Sequence, residues 1–302
     1  MKSPIFKKQL LLIAIIISVV FFTGCPNVRE DGVSESETQK LLHTDDLGRQ
    51  VLIRKPVERA ISLAPSLTEA IFAVGADDKL VGVTTYCNFP EAAKGIEKIG
   101  DTQTPNIERI VALKPDVVFV STASQIEAFM ATLEQQNIAV FVLNPKNFEG
   151  VLRNLHTLGS IFGTEKKADE LAADMERRAA SVDEKVKDLA KPNVFVQISK
   201  EPLFTIGNES FLTEIVHRAG GISVTKDVAT AYPKLSKETA LAMNPDVIIL
   251  SDSDDNREPN DVFKNSPAVK NGRIYRINAD IISRPGPRLV DALEEIVKDL
   301  HR

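Results

Sequence analysis

A short motif occurs twice in this chain, and it constrains the fold more than any other feature of the sequence. The first copy, ERIVALKPDVV, covers residues 108–118, and the second, ETALAMNPDVI, covers residues 238–248. Each copy begins with a glutamate and continues, seven positions later, with Pro-Asp-Val and an apolar run. A second pair of segments, SLTEAIFAVGA and FLTEIVHRAGG, matches in the same order. Two matches in one order predict that the chain contains two related halves.

Short apolar runs alternate with helical patterns in both halves. Strands are expected at RAISLA, LVGVT, VVFVS and AVFVLN, and later at NVFVQI, LFTIG, VIIL and RIYRI. Most of these segments are apolar runs rather than strict alternations of polar and apolar residues, which is typical of parallel strands that are covered on both faces. The patterns between them, such as IERIVALK and KETALAMN, have helical spacing. The predicted fold class is therefore α/β, with two related Rossmann-like lobes at residues 44–163 and 192–302.

A long helix is expected to connect the lobes. Residues 164–191 contain no Gly or Pro and are followed by Pro192. Thr164 is the predicted N-cap. A helix of this length resists bending, so only slight lobe movement is expected when a ligand binds. The side chains expected to pack inward are Ala172, Met175, Ala179 and Val182.

The N-terminus has the pattern of a secretory signal. Lysines at positions 2, 7 and 8 precede an apolar run at residues 10–22, which is too short to span a bilayer because that takes about 20 residues. The following segment FTGC resembles the lipobox of bacterial lipoproteins, so residues 1–24 would be removed and Cys25 would carry the lipid. The alternative is ordinary cleavage nearby, with Cys25 a plain thiol. Residues 25–43 are polar and are predicted to be a tether.

Charge and composition exclude some classes of protein. The formal net charge is −5, and removing residues 1–24, which contain three lysines and no acidic residue, changes it to −8. An acidic chain has no basic face for nucleic acid. If Cys25 is a thioether, Cys87 has no disulfide partner and is expected to be a small apolar residue.

No catalytic or metal-binding pattern is present in the sequence. There is no P-loop and no dinucleotide fingerprint, and GSIFG at residues 159–163 has its serine in the wrong place for a nucleophile elbow. The four histidines are scattered, without metal-ligand spacing. The prediction is a binding protein that is not an enzyme and has no metal or cofactor of its own. An α/β enzyme and a surface protein without a small ligand remain as alternatives.

The repeated glutamate stands at the same place in two predicted helices. Asn106 and Ser236 are the predicted N-caps, which puts Glu108 and Glu238 at the second helical position. A carboxylate there complements the helix dipole, worth about 0.3–1 kcal/mol. The helix dipole is sufficient to explain a glutamate at one helix start. It explains less well why both halves have a glutamate at the same helical position.

From about Thr44 to the C-terminus, the chain resembles the class III periplasmic solute-binding proteins of ABC importers, and especially their cobalamin-binding branch. The segments that carry the resemblance are TDDLGRQV, ISLAPSLTEAIFAVGA, VGVTTYCNFPEAA, NIERIVALKPDVV, FTIGNES, YPKLSKETALAMNPDVI and RPGPRLVDALEEI. The resemblance implies a monomer, periplasmic or at the cell surface, that holds one ligand between its lobes. Glu108 and Glu238 match glutamates that form salt bridges to arginines of the two permease subunits, which work with ATPase subunits.

The resemblance also implies the ligand-binding positions, although core packing is the alternative for each aromatic residue. They are Pro65, Tyr86, Phe204, Tyr232, Asp280 and Arg284. The branch often has tryptophans where this chain has Thr102 and Ser121, and this chain has no Trp at all. Cobalamin is the first choice of ligand, with haem or a ferric siderophore as alternatives. Tyr86 or Tyr232 would be the axial ligand of a haem, and Arg284 with Arg288 would attract an anionic siderophore, although Arg288 is rather expected to support the last helix.

Overall fold

The computed structural model describes residues 39–122 and 127–302. The described part begins with an antiparallel hairpin of β1 (Gln39–Thr44) and β2 (Gln50–Lys55). Its turn is closed by Asp45, whose Oδ1 accepts the main-chain N–H groups of Leu47 and Arg49. The predicted tether is therefore too long at its C-terminal end, because residues 39–43 form a strand. The predicted signal peptide, Cys25 and the rest of the tether lie outside the described residues.

The first half is built on a parallel sheet in the order β4-β3-β5-β6. Helices follow or precede these strands as the alternating pattern predicts. The strands are β3 (Ala60–Ser62), β4 (Leu80–Val83), β5 (Val117–Val120) and β6 (Ala139–Val142). The helices are α1 (Pro65–Ala73), α2 (Ile107–Ala112), α3 (Glu127–Gln135) and α4 (Phe148–Phe162), with a 3₁₀ turn at Asp77–Lys79 and another at Glu91–Gly95.

The expected long helix is α5 (Glu165–Val186), which ends five residues before Lys191. Thr164 is at the N-cap position, but its side chain makes no capping hydrogen bond. Arg178 joins α5 to the last helix through ion pairs with Asp291 at 2.6 Å and Glu294 at 2.7 Å. The buried face repeats at intervals of three and four residues and includes all four side chains predicted to point inward: Ala168, Ala172, Met175, Ala179, Val182 and Val186.

The second half is built on a sheet in the order β11-β10-β7-β8, in which β9 also pairs with β7. All its pairings are parallel except that of β7 with β8. The strands are β7 (Asn193–Ser199), β8 (Phe204–Thr205), β9 (Ile222–Ser223), β10 (Val247–Asp252) and β11 (Ile274–Asn278). The helices are α6 (Phe211–Arg218), α7 (Lys237–Met243), α8 (Pro267–Lys270), α9 (Ala279–Ile282) and α10 (Leu289–Leu300), with a 3₁₀ turn at Asp261–Phe263.

One continuous hydrophobic core runs through both halves. It contains Phe119 of the first sheet, Val196 of the second sheet and the buried face of α5. The opposite face of each sheet is covered by a smaller cluster, around Val118 in the first half and around Phe195 in the second. Both sheets are therefore covered on both faces, as the uninterrupted apolar runs predict. Cys87 is a free thiol buried in the shared core.

The repeated motif has the same local structure in both halves. Lys114 and Asn244 precede the Pro-Asp pair, and both have a positive φ, of 48° and 41°. The aspartate of each pair then fixes the start of a neighbouring strand. Asp116 accepts the main-chain N–H group of Arg59, next to β3, and Asp246 accepts that of Asn193, the first residue of β7. The Pro-Asp part of the motif is therefore structural, which leaves its glutamate to be explained separately.

Replacing the buried carboxylate at the end of α10 should stabilise the protein in a pH-dependent way. Asp299 is only 5 % exposed, and burial raises its pKa against the opposing effects of Arg302 and Lys298. A folded-state pKa above the unfolded value of about 3.9 means that the charged form destabilises the fold at higher pH. We expect Asp299→Asn to raise Tm by about 2 °C at neutral pH, because it removes a buried charge and also an anion from a helix C-terminus. At pH values well below the pKa of a free aspartate carboxyl, Asp299 is protonated and the substitution should not change Tm.

Thermal unfolding of the variant and of the unmodified protein between acidic and neutral pH measures this effect. Asp254→Asn is the control, because the Asp254 side chain is 98 % exposed. A lower Tm for Asp299→Asn at neutral pH would contradict the prediction.

Candidate functional site

Two loops from opposite halves meet at the carboxyl ends of parallel strands. The loop after β4 contacts the segment after β11 through Asn88, whose Nδ2 donates to Asp280 Oδ2 at 2.7 Å. Arg284 Nη1 donates to Asn88 Oδ1 at 2.8 Å, and Arg284 Nη2 donates to the main-chain oxygen of Tyr86 at 3.4 Å. Ligands of α/β proteins bind at this edge of the sheet. The contact therefore brings together Tyr86, Asp280 and Arg284, three of the predicted site residues.

The charge of Arg284 is neutralised within the protein. Its Nη2 donates to Asp280 Oδ1 at 2.5 Å, and its Nη1 donates to Glu69 Oε1 at 2.7 Å. Arg288 binds the same glutamate with two parallel hydrogen bonds, from Nε to Oε2 at 2.7 Å and from Nη2 to Oε1 at 2.6 Å. The hydrogen bond with Glu69 is the main reason that the pKa of Arg288 is raised. Two arginines are thus matched by two carboxylates.

This arrangement ties the start of the last helix to α1 through Arg288. The residue stands at the N-cap of α10, where its main-chain oxygen accepts the N–H groups of Asp291 and Ala292 but its side chain makes no capping hydrogen bond. Its side chain instead binds Glu69, which is only 3 % exposed, because a buried carboxylate is stable only when it is paired and hydrogen-bonded. In the sequence, Glu69 stands out only as part of the segment SLTEAIFAVGA that matches the second half. The signal that could have identified it is a charged residue within the otherwise buried part of α1.

Phe89 is a second residue that the sequence analysis did not single out. It lies in the same loop as Tyr86, and the two residues are 44 % and 58 % exposed. The Arg288 guanidinium lies 4.1 Å from the centre of the Phe89 ring, in a cation–π contact. Two exposed rings on one loop offer an apolar contact surface for a planar ligand.

Pro65 lies beside the same contact. It is the first residue of α1, directly after the loop that follows β3. Gly286, in the segment after β11, approaches the adjacent Ser66 so closely that a Cβ atom there would lie 3.3 Å from the Ser66 main-chain oxygen. Pro65 is therefore placed near the loop contact that holds Arg284, at the same edge of the sheet.

The two remaining predicted ligand residues, Phe204 and Tyr232, lie close together in the second half. Phe204 forms an isolated antiparallel bridge with Lys234, and Thr205 donates its main-chain N–H to Pro233. Tyr232 is two residues from the partner of Phe204 and is 43 % exposed. Burial raises the pKa of the Tyr232 hydroxyl, while a hydrogen bond with Ser210 acts in the opposite direction. Tyr232 is therefore a neutral phenol at physiological pH.

Glu108 and Glu238 are both exposed, and both stand at the second position of their helices. The predicted N-caps are confirmed, since Asn106 accepts the N–H of Arg109 and Ser236 accepts that of Thr239. Hydrogen bonds from its own main chain and from Ser236 lower the pKa of Glu238. Within residues 39–122 and 127–302, neither glutamate forms an ion pair with another side chain. Each is thus available to a partner.

Two other kinds of feature are absent from the described residues. In residues 39–122 and 127–302, no three His, Cys, Asp or Glu side chains are close enough together to hold a metal ion. In the same ranges, no helix has the length and apolar character needed to cross a membrane.

The known sequences to which this chain is similar include periplasmic and substrate-binding proteins. Residues 61–281 match the model of a family described as periplasmic binding protein. The chain is 31% identical to the uncharacterized ABC transporter substrate-binding lipoprotein YvrC of Bacillus subtilis (strain 168), over 95% of each chain. It is 30% identical to the vitamin B12-binding protein of Vibrio parahaemolyticus, over 81% of this chain and 90% of that protein.

Comparison with solved structures agrees with the sequence matches. The periplasmic vitamin B12 binding protein BtuF of Vibrio cholerae superposes with a TM-score of 0.71 at 29% identity, over 81% of this chain and 97% of that chain. A periplasmic heme binding protein from Pseudomonas aeruginosa superposes with a TM-score of 0.72 at 24% identity, over 80% and 91%, and this likeness concerns the fold alone. The chain therefore belongs to the periplasmic binding protein family and, within it, to the class III solute-binding proteins of ABC importers.

Proposed function

We propose that this protein is the lipid-anchored binding component of an ABC importer and that it carries a corrinoid in the cleft between its two halves. Cys25 would hold the lipid outside the cytoplasmic membrane. The ligand would lie between the first-half residues Pro65, Tyr86 and Phe89 and the second-half residues Phe204, Tyr232, Asp280 and Arg284. The protein would deliver the ligand to a permease dimer through Glu108 and Glu238. The B12-binding relatives support the choice of ligand.

The neutralised charge of Arg284 is the observation that best supports a corrinoid over an anionic siderophore. An anionic ferric complex needs cationic side chains, but Arg284 is already paired with Glu69 and Asp280, and Arg288 with Glu69. An uncharged or weakly charged macrocycle needs only aromatic walls and a few polar contacts. Tyr86, Phe89 and Tyr232 provide exposed rings for such contacts.

Haem is the second candidate, because heme-binding proteins have the same fold. Haem iron requires an axial ligand from the protein, and a tyrosine in that role binds as a phenolate. Tyr86 and Tyr232 are the candidates for that ligand. Cyanocobalamin brings both axial ligands of its metal with it and therefore needs no side chain in that role, only aromatic and polar contacts.

Titration of the protein with cyanocobalamin, cobinamide, haemin and a ferric catecholate siderophore tests the proposal. We expect saturable one-to-one binding of the corrinoids, seen in visible absorbance, with the ligand recovered unchanged. Excess corrinoid at a hundred times Kd should stabilise the folded state by about 2.7 kcal/mol. Binding of haemin or the siderophore alone would refute the corrinoid assignment, and chemical conversion of the ligand would favour an enzyme.

A substitution at Tyr86 tests the location of the site. We expect Tyr86→Ala to weaken cyanocobalamin binding by about tenfold, because an aromatic contact contributes about 0.5–1.5 kcal/mol and each 1.4 kcal/mol is tenfold in affinity. Leu241→Ala removes a similarly exposed side chain, 59 % exposed, from helix α7, which contributes no residue to the proposed ligand site, and should leave affinity unchanged. Equal affinity in both variants would show that Tyr86 does not contact the ligand.

A further inference from the structure

The repeated Thr-Glu pair of the two halves has a shared feature that the cleft and the docking glutamates do not explain. Thr68-Glu69 lies in α1, and Thr213-Glu214 lies at the equivalent place in α6. The glutamate of each pair forms hydrogen bonds with a group in the opposite half of the chain. Glu69 binds the arginines 284 and 288, and Glu214 Oε2 accepts the main-chain N–H of Phe148 at 2.9 Å.

The contact of Glu69 with Arg284 and Arg288, here called the Glu69 clasp, is strong and directional. It consists of three charge-assisted hydrogen bonds of 2.6–2.7 Å to a side chain that is only 2 % exposed. Such bonds are about twice as strong as neutral ones, and the parallel pair from Arg288 also fixes the orientation of the guanidinium. Through Arg284 the clasp also holds Asn88 and Asp280. It therefore joins the two walls of the proposed site.

The contact of Glu214 with Phe148, here called the Glu214 clasp, lies at the start of α4. The first N–H groups of a helix have no partner within it, and a carboxylate there is favoured by the helix dipole. Arg218, one turn further along α6, lies 4.6 Å from the centre of the Phe148 ring and is paired with Asp183 of α5 at 2.6 Å. This clasp therefore ties helices of both halves to the connecting helix.

We propose that Glu69 and Glu214 are positioning residues, which hold the two halves at one angle so that the walls of the cleft face each other before a ligand arrives. The shared apolar core opposes separation of the halves, but hydrophobic contact is non-directional and permits sliding. Hydrogen bonds require a narrow range of distance and angle, so clasps on two sides restrict rotation as well. The effect on ligand binding rests on the proposed function, whereas the effect on the angle does not.

A loss of this restraint has a calculable effect on binding. The apparent Kd equals the intrinsic Kd divided by the fraction of molecules whose two halves stand at the binding-competent angle. If about one tenth of the molecules do so, binding is about tenfold weaker. Loss of the Glu69 clasp should weaken ligand binding more than loss of the Glu214 clasp, because the Glu69 clasp has three charge-assisted hydrogen bonds and the Glu214 clasp has one.

Single-molecule energy transfer between the halves tests the proposal without a ligand. Dyes are attached through genetically encoded azide side chains at Gln136 and Lys264, which are exposed and lie in different halves. We expect a narrow distance distribution for the unmodified protein and broader ones for Glu69→Gln and Glu214→Ala. Glu214→Gln should keep the narrow distribution, because its amide oxygen still accepts the N–H of Phe148. Cyanocobalamin should narrow the broad distributions and bind about tenfold more weakly to Glu69→Gln than to the unmodified protein.

The outcomes separate this inference from the proposed function. A broad distribution in the unmodified protein, or a narrow one in both Glu69→Gln and Glu214→Ala, would overturn the clasp assignment. If the distributions behave as expected but cyanocobalamin does not bind, the clasps stand and the corrinoid proposal fails. If Glu69→Gln does not fold, as judged by circular dichroism, the comparison of Glu214→Ala with Glu214→Gln decides.

Discussion

Reversing the charge of both exposed helix-start glutamates, Glu108→Lys together with Glu238→Lys, is expected to abolish transport while leaving ligand affinity unchanged. In the proposed complex each glutamate faces an arginine of one permease subunit. Reversal places a lysine against each arginine, and like charges brought together at an interface cost several kcal/mol. We therefore expect the stimulation of transport to fall by at least about a hundredfold, since each 1.4 kcal/mol is tenfold in an equilibrium constant.

Transport and ATP hydrolysis by the reconstituted importer measure this effect, and corrinoid titration of the free protein measures affinity. The matched control is Glu149→Lys with Glu165→Lys. These glutamates are also exposed and also lie in the first turns of helices, α4 and α5, so the control has the same change of net charge and the same effect on helix dipoles. Normal transport by the Glu108 and Glu238 double variant, or equal loss in the control, would refute docking through this pair.

Replacing Gly207 by alanine is expected to destabilise the second half and to weaken ligand binding together. A Cβ atom at this position would lie 2.6 Å from the main-chain oxygen of Val228 and closer still to that of Thr230. The clash involves main chain on both sides, so the segment that leads to Tyr232 must move. We expect the free energy of unfolding to fall by about 3 kcal/mol, as in overpacked cores, and corrinoid affinity to fall by more than about tenfold.

Denaturant unfolding and corrinoid titration test this prediction. Gly95→Ala is the control, because no atom lies within 4 Å of its Cβ and its backbone has no positive φ. It should change neither quantity. Unchanged stability and affinity in Gly207→Ala would mean that the segment after Val228 is not packed against Gly207 as described.

The sequence allowed the order of elements to be predicted because the relevant forces are local. Uninterrupted apolar runs such as VVFV and VIIL became buried parallel strands, since a strand covered on both faces leaves no position for a polar side chain. The N-caps Asn106 and Ser236 could be assigned because a cap acts within three residues of itself. The resemblance to a family then placed Tyr86, Asp280 and Arg284, which the structure brings together.

Features that depend on distant parts of the chain were missed. The extent of helix α4 was not predicted, partly because Gly159 lowers helix propensity; the structure shows why glycine is there, since a Cβ atom would lie 2.6 Å from that of Ala168 in α5. Most of β1 was assigned to the tether, because this strand is largely exposed and has only two apolar residues, which give no clear periodicity. The partners of Glu69 lie more than 200 residues away, so no local pattern could reveal them.

The apolar core that passes from the first sheet through α5 to the second sheet has a practical consequence for heat denaturation. Because neither lobe can lose its packing without exposing residues that belong to the other, the folded body should melt in one cooperative step rather than lobe by lobe. A compound that touches only the cleft will then delay melting of the entire body. Simple thermal screening of metal-chelate libraries is therefore a direct route to the natural cargo.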